Sequence, residues 1–151
     1  MYRQYIDTPL GLMRISASEL GITEANFILA SEQKSAQASA ITQQAAQQLT
    51  AYFAGKLQQF TLPLAATGTE FQQQVWQQLT RIPFATTCSY AAIAQQIGRP
   101  KAMRAVGAAN GRNPIAIIVP CHRVIGASGK LTGYAGGLDK KAWLLKHEQH
   151  L

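Results

Sequence analysis

Long hydrophobic runs are missing from this 151-residue sequence. No apolar stretch approaches the ~18 residues that a membrane-spanning helix needs, so an integral helical membrane protein is not expected. The first residues, Met1-Tyr2-Arg3-Gln4-Tyr5, lack the apolar core of a secretion signal, which predicts a cytoplasmic protein. Cysteine is scarce. Only Cys88 and Cys121 are present, and in that compartment both should be reduced. Together with three histidines they form no zinc-binding spacing, so neither a metal nor another cofactor is expected. Proline and glycine are absent from residues 33–54, a Gln/Ala-rich stretch that therefore reads as helix, not as loop.

Acidic residues are nearly absent from the last third. Residues 1–98 balance five Lys/Arg against five Asp/Glu, whereas residues 99–151 carry nine Lys/Arg against Asp139 and Glu148 alone. The whole net charge of +7 thus lies in one region. Such a concentration is an electrostatic footprint for a polyanion, although an ordinary basic surface would look the same.

What is present divides near residue 67. Residues 1–30 alternate in polarity between Gly11 and Gly21, predicting antiparallel strands. A helix is expected over 32–56, with Ile41, Ala45, Leu49, Tyr52 and Phe53 as its apolar stripe. Leu62 to Gly68 has no clear period and reads as a linker, which predicts domains at 1–66 and 67–151. Thr69-Glu70-Phe71-Gln72 fits a capping box that opens a helix burying Phe71, Val75, Trp76 and Leu79. Ser89 can cap a second helix with Tyr90, Ile93, Ala94 and Ile97 on one face. Gly98 can end that helix, and Pro100 can sit in the first turn of the next. Two short helices joined by a tight turn form a helix-turn-helix. The second is rich in small residues (Ala102, Ala105, Gly107), from which Arg104 projects.

Between Pro114 and Pro120 lies Ile115-Ala116-Ile117-Ile118-Val119, an apolar and mostly β-branched run that predicts a short buried strand. Cys121-His122-Arg123 follows at once. A thiol beside an imidazole and a guanidinium is expected to sit in a positive field, which favours the nucleophilic thiolate. A packed structural cysteine beside a chance histidine is the plain alternative. The last helix is expected over 139–147 with Leu138, Ala142 and Leu145 buried. Glu148 at its C-terminal end opposes the helix dipole, which marks it as a functional candidate.

Pro120-Cys121-His122-Arg123-Val124-Ile125 closely resembles the active-site motif of the O6-alkylguanine-DNA alkyltransferases. The resemblance runs from Phe71 to Glu148 and takes in Arg104-Ala105-Val106-Gly107, Asn113-Pro114, Gly133-Tyr134-Ala135-Gly136-Gly137 and Trp143-Leu144-Leu145. It is weaker towards the N-terminus, where the zinc ligands of some relatives are missing. The resemblance implies an α/β N-terminal ribonuclease-H-like domain and a mostly α C-terminal domain with the helix-turn-helix. It implies a monomer that acts on double-stranded DNA carrying O6-alkylguanine, and on O4-alkylthymine, in a single turnover.

By the same resemblance Cys121 accepts the alkyl group, His122 is its base through a water, and Glu148 orients His122. Asn113 ties the turn beneath the site, and Tyr90 serves the leaving base. Arg104 fills the gap in the base stack, with Ala102, Ala105, Gly107, Asn110, Arg112 and Arg123 as further DNA contacts. Tyr134, Ala135 and Val124 line the substrate pocket. Two rivals stay open at this stage. A cysteine hydrolase would turn over repeatedly, and a non-catalytic damage sensor would bind alkylated DNA without being labelled at Cys121.

Overall fold

A computed structural model describes residues 1–149, so the last two residues of the expected 67–151 domain lie outside the described residues. The chain forms two compact units, Met1–Thr67 and Gly68–Leu151. In the first, β1 (Tyr2–Thr8), β2 (Gly11–Ala17) and β3 (Ile22–Phe27) make an antiparallel sheet in the order β1-β2-β3. Met13, Ile15 and Ala17 of β2 and Ile22 and Ala25 of β3 supply its buried residues. Helix α1 (Ala40–Phe53) packs on this sheet through Ala45, Ala46, Leu49 and Tyr52. It is shorter than its composition suggests, because Ser39 intervenes. The Ser39 hydroxyl accepts from the Thr42 amide while the Ser39 amide donates to the Thr42 hydroxyl, fixing the N-terminus there. Residues 33–39 are consequently irregular. The expected linker is also more ordered than a linker. Ile22 donates to the Pro63 carbonyl and Ala65 donates to the Ile22 carbonyl, both at 2.8 Å, so this segment bridges to the start of β3.

The second unit opens with α2 (Glu70–Leu79), capped by Thr69 and Gln72 as its sequence predicts. Val75, Trp76 and Leu79 are buried, and the Trp76 indole N–H donates to the Ala109 carbonyl at 2.8 Å. That bond joins α2 to α4 (Met103–Gly111). Between them lie the two-residue strand β4 (Cys88–Ser89) and α3 (Tyr90–Gln96), whose cap is the Ser89 side chain. Gly98, at φ +77°, turns the chain after α3. Pro100 lies in the connecting turn and not in the next helix, which starts at Met103 behind Ala102.

Residues 115–119 are buried as expected but are not a strand. The Val119 amide donates to the Ile115 carbonyl and the Ile118 amide to the Ala116 carbonyl, and Ile117 sits at φ +73°, so the run folds back on itself as a tight turn. A left-handed β-branched residue is costly and persists only where its surroundings fix it. Asn113 fixes this one. Its side chain accepts from the Ile115 amide at 3.0 Å and donates to the carbonyls of Val119 at 2.8 Å and Ile115 at 3.2 Å. The side chain thus takes the place of a partner strand.

A 3-10 turn, Cys121–Arg123, follows, and then β5 (Val124–Ile125), which pairs in parallel with β4. The last helix, α5 (Leu138–Gln149), buries Lys141, Leu144 and Glu148. Leu138 is exposed, Ala142 is exposed and Leu145 is only half-buried, so the apolar reading of this helix chose the wrong face. Two of the three inward residues are charged, and each reaches a partner inside the unit.

Candidate active site around Cys121

Cys121 begins the 3-10 turn directly after the turn that Asn113 holds, and it is buried. Its neighbours do not give it the positive field expected from the sequence. Burial pushes the thiol above its ordinary range, while the Asn113 amide and the Lys141 ammonium pull it back in part. The two adjacent groups are engaged elsewhere. His122 is fully buried, and its Nε2 lies 2.7 Å from Glu148 Oε2. Arg123 grips the same carboxylate with Nε to Oε1 at 2.8 Å and Nη2 to Oε2 at 3.0 Å, and it donates through Nη1 to the Ile82 carbonyl at 2.7 Å. The Ala85 amide adds a bond to Glu148 Oε1 at 3.3 Å from a backbone at φ +62°.

These contacts set the protonation states. Burial alone would raise the Glu148 carboxyl, but the bonds from His122 and Arg123 outweigh it and hold the group at about 2. Burial pushes His122 below 6.5, against the pull of Glu148. The imidazole is therefore neutral near pH 7. An ionised carboxylate can only accept, so Nε2 carries the ring proton and Nδ1 keeps a free lone pair. Nδ1 is buried without a hydrogen-bond partner.

Lys141 completes the cluster. Its Nζ is buried and donates to the carbonyls of Val124 and Thr132, each at 2.6 Å. Glu148 compensates Arg123, so Lys141 holds the one uncompensated charge among these side chains while Cys121 is a thiol. Tyr134 lies close enough to Cys121 for the two to interact electrostatically; its hydroxyl is buried and unpartnered, and burial raises its pKa. Gly136 lies beneath the Tyr134 ring, where an added Cβ would come within 2.9 Å of Cε2. Among the described residues, no group of three or more His, Cys, Asp or Glu side chains could hold a metal ion.

Residues 1–66 match the family described as 6-O-methylguanine DNA methyltransferase, ribonuclease-like domain. Residues 70–150 match the DNA binding domain of the same family. The chain belongs to the O6-methylguanine-DNA methyltransferase family. The methylated-DNA–protein-cysteine methyltransferase of Methanosarcina barkeri is 49% identical over 99% of this chain and 98% of its own length. That of Methanosarcina acetivorans is 50% identical over 98% of each. The crystal structure of Mycobacterium tuberculosis OGT in complex with DNA superposes with a TM-score of 0.90 at 48% identity, covering 99% of this chain and 94% of that one.

The structure of this family member gathers Cys121, His122, Glu148 and Asn113 into one buried cluster and leaves Arg104, Ala105 and Arg112 exposed on or just beyond α4. Ala102 and Gly107 are half-buried and Ala135 is exposed. Two expected DNA contacts are buried. Arg123 is buried, and its guanidinium is spent on Glu148 and Ile82. Asn110 is buried and donates to the Cys121 carbonyl at 3.4 Å. Both side chains therefore lie inside the unit, and the Asn110 Oδ1 is buried without a hydrogen-bond partner. Val124 is also fully buried and contributes its carbonyl to Lys141. Lys141 itself escaped the sequence reading, because a lysine pair at 140–141 looks like solvated surface. The available signal was its place three residues before Leu144 and seven before Glu148, on one helix face.

The network fixes how stability responds to pH. The Glu148 carboxyl falls from an ordinary 4.5 to about 2 on folding, so its contribution is complete above pH 4.5 and is lost as the pH drops towards 2. His122 is lowered from 6.5, so the folded chain binds fewer protons there and stability also falls as the pH drops below 6.5. Both signs agree. Glu148→Gln leaves Arg123 buried without its counter-charge and should cost about 3–5 kcal/mol at neutral pH. It should also reduce the acid sensitivity of what remains. Equilibrium urea unfolding from neutral to acid pH checks both, and undiminished stability at neutral pH would show that the carboxylate is not holding the network.

Proposed function

We propose that this chain repairs double-stranded DNA by moving the alkyl group of O6-alkylguanine, and also of O4-alkylthymine, onto Cys121. Members of its family are suicide alkyltransferases, and direct alkyl-transfer repair is the activity that its relatives carry by name. The observation that supports Cys121 as acceptor is the adjacent buried imidazole. Glu148 occupies its Nε2, and its Nδ1 is free to take a proton.

The reaction is an in-line displacement at a saturated carbon. The thiol proton passes through a water to His122 Nδ1, and Glu148 stabilises the resulting imidazolium. Ionising the thiol places a negative charge where Lys141 can stabilise it, while the proton it gives up rests on His122 beside Glu148, so the net charge of the buried cluster does not change. Sulfur forms a bond to the alkyl carbon, the carbon–oxygen bond breaks, and its electrons leave with guanine. Tyr90 hydrogen-bonds guanine N3 as charge develops there, and the Ala135 amide faces O6. Tyr134 walls the alkyl pocket. The product is a thioether, which has no easy leaving group, so each molecule acts once. A hydrolase reading has nothing comparable in its favour, because the relatives are named for transfer to a protein cysteine and not for hydrolysis.

The target atom is hidden in the duplex, so the nucleotide must leave the stack at a cost of a few kcal/mol. In this proposal α3 and α4 act as a helix-turn-helix. Exposed Arg99, Lys101, Arg104 and Arg112 give that surface its positive charge. Small residues on α4 permit close approach in the minor groove, whose degenerate pattern suits repair in any sequence. Arg104 fills the vacated place in the stack. The protein works as a monomer in the cytoplasm without a cofactor.

Cys121→Ala should abolish transfer and spare DNA binding. Intact-mass spectrometry after mixing with a methylated oligonucleotide should show one added methyl on the wild type and none on the variant, and methylation of the variant at Cys88 would refute the assignment. For Arg104→Ala, a lost phosphate contact would weaken binding to all DNA and lower the salt slope by about one. A lost stack-filler should instead slow repair in duplex DNA more than repair of the free alkylated base. The second pattern is expected, and equal slowing on both substrates would exclude it.

A further inference from the structure

The segment between β5 and α5 is tied down at Thr132 from two sides. The buried Lys141 ammonium donates to the Thr132 carbonyl at 2.6 Å and, with another of its protons, to the carbonyl of Val124 at 2.6 Å. The Thr132 backbone is thereby fixed relative to the residues that follow the nucleophile. Its hydroxyl then lies 2.8 Å from the Tyr90 hydroxyl, 42 residues away in sequence. Tyr90 is itself held. It is the first residue of α3, behind the Ser89 cap, and Ser89 pairs with Ile125 of β5. Its ring faces Gly107 of α4, where an added Cβ would sit 3.8 Å from the ring.

A tyrosine hydroxyl has one proton to give and can also accept. We propose that Thr132 is a positioning residue for alkyl transfer: its hydroxyl donates to the Tyr90 oxygen and so directs the single Tyr90 proton towards the leaving base. In the free protein either oxygen can donate. When a base nitrogen arrives, Tyr90 donates to it and Thr132 donates to Tyr90, an exchange that needs only rotation of two O–H bonds. Donors in such a chain polarise one another, so the bond from Tyr90 to the base strengthens as charge develops on that base. Thr132 suits the task because its branched side chain is stiff and its backbone is fixed by Lys141. The inference rests on the reading that Tyr90 serves the leaving base, and it adds the residue that orders and polarises Tyr90.

Single-turnover transfer from duplex DNA containing O6-methylguanine tests it, measured over a range of DNA concentrations. Thr132→Val keeps the shape and removes the hydroxyl. It should lower the maximal rate about fivefold, the loss expected for one hydrogen bond, and leave the half-saturating DNA concentration unchanged. Thr132→Ser should restore most of the rate. In a Tyr90→Phe background, Thr132→Val should have no further effect, because the two act as one unit. A wild-type rate for Thr132→Val beside a slow Tyr90→Phe would overturn the role of Thr132 alone. An undiminished effect of Thr132→Val in the Tyr90→Phe background would do the same, by showing that it acts through the fold. A wild-type rate for Tyr90→Phe would overturn the reading of Tyr90 itself, and the proposal with it.

Discussion

The second unit of this chain depends on one carboxylate. Glu148 is buried near the end of α5, and donors from two other parts of the chain converge on it: the imidazole of His122 and the guanidinium of Arg123 from the 3-10 turn, and the amide of Ala85. Removing such a charge from water is expensive and is repaid only when its lone pairs are all used. Here they are. The carboxylate therefore fixes where α5 must lie against the 3-10 turn that carries Cys121, and it fixes the loop around Ile82–Ala85 as well. The same contacts decide chemistry. At neutral pH the ionised Glu148 holds the proton of His122 on Nε2 and leaves the Nδ1 lone pair free.

Charge balance extends this logic to the nucleophile. Arg123 and Glu148 cancel, His122 is neutral, and Lys141 is left over. A buried thiol would by itself resist ionisation, and burial does raise Cys121. Lys141 opposes that tendency without touching the solvent. The lysine also holds Thr132 and Val124, so the electrostatic partner of the thiol and the clamp on the neighbouring loop are one side chain. Asn113 has a comparable double duty: it closes the turn at Ile115–Val119 and presents its amide to the thiol.

Much of this was legible in the sequence where local rules and tertiary packing agree. The caps at Thr69 and Ser89 and the burial of Val75, Trp76, Leu79, Ile93 and Ala94 follow from spacing and hydrogen-bonding capacity alone, whereas Phe71, Tyr90 and Ile97 of the same expected faces are only half-buried. The motif at Pro120–Ile125 carried the resemblance to the family that the chain belongs to. The failures share a physical cause. Ile115–Val119 was read as a strand because β-branched residues favour strands, whereas here they are apolar filler in a turn organised by a polar residue two positions upstream. The buried face of α5 was misplaced because Lys141 and Glu148 look like surface residues until their partners are known. The burial of Arg123 and Asn110 was not foreseen, because a basic or amide side chain near a reactive cysteine suggests an outer contact. Periodicity carries no information on which charges meet inside.

The central claim is that burial keeps His122 neutral, and that Glu148 fixes its proton on Nε2 and its lone pair on Nδ1. Nitrogen-15 NMR of the His122 ring in the unreacted protein tests it most directly, because protonated and unprotonated ring nitrogens resonate far apart. The account predicts a protonated Nε2 and an unprotonated Nδ1 at neutral pH, persisting as the pH is lowered through 6.5. An imidazolium at neutral pH, or a proton on Nδ1, would contradict it.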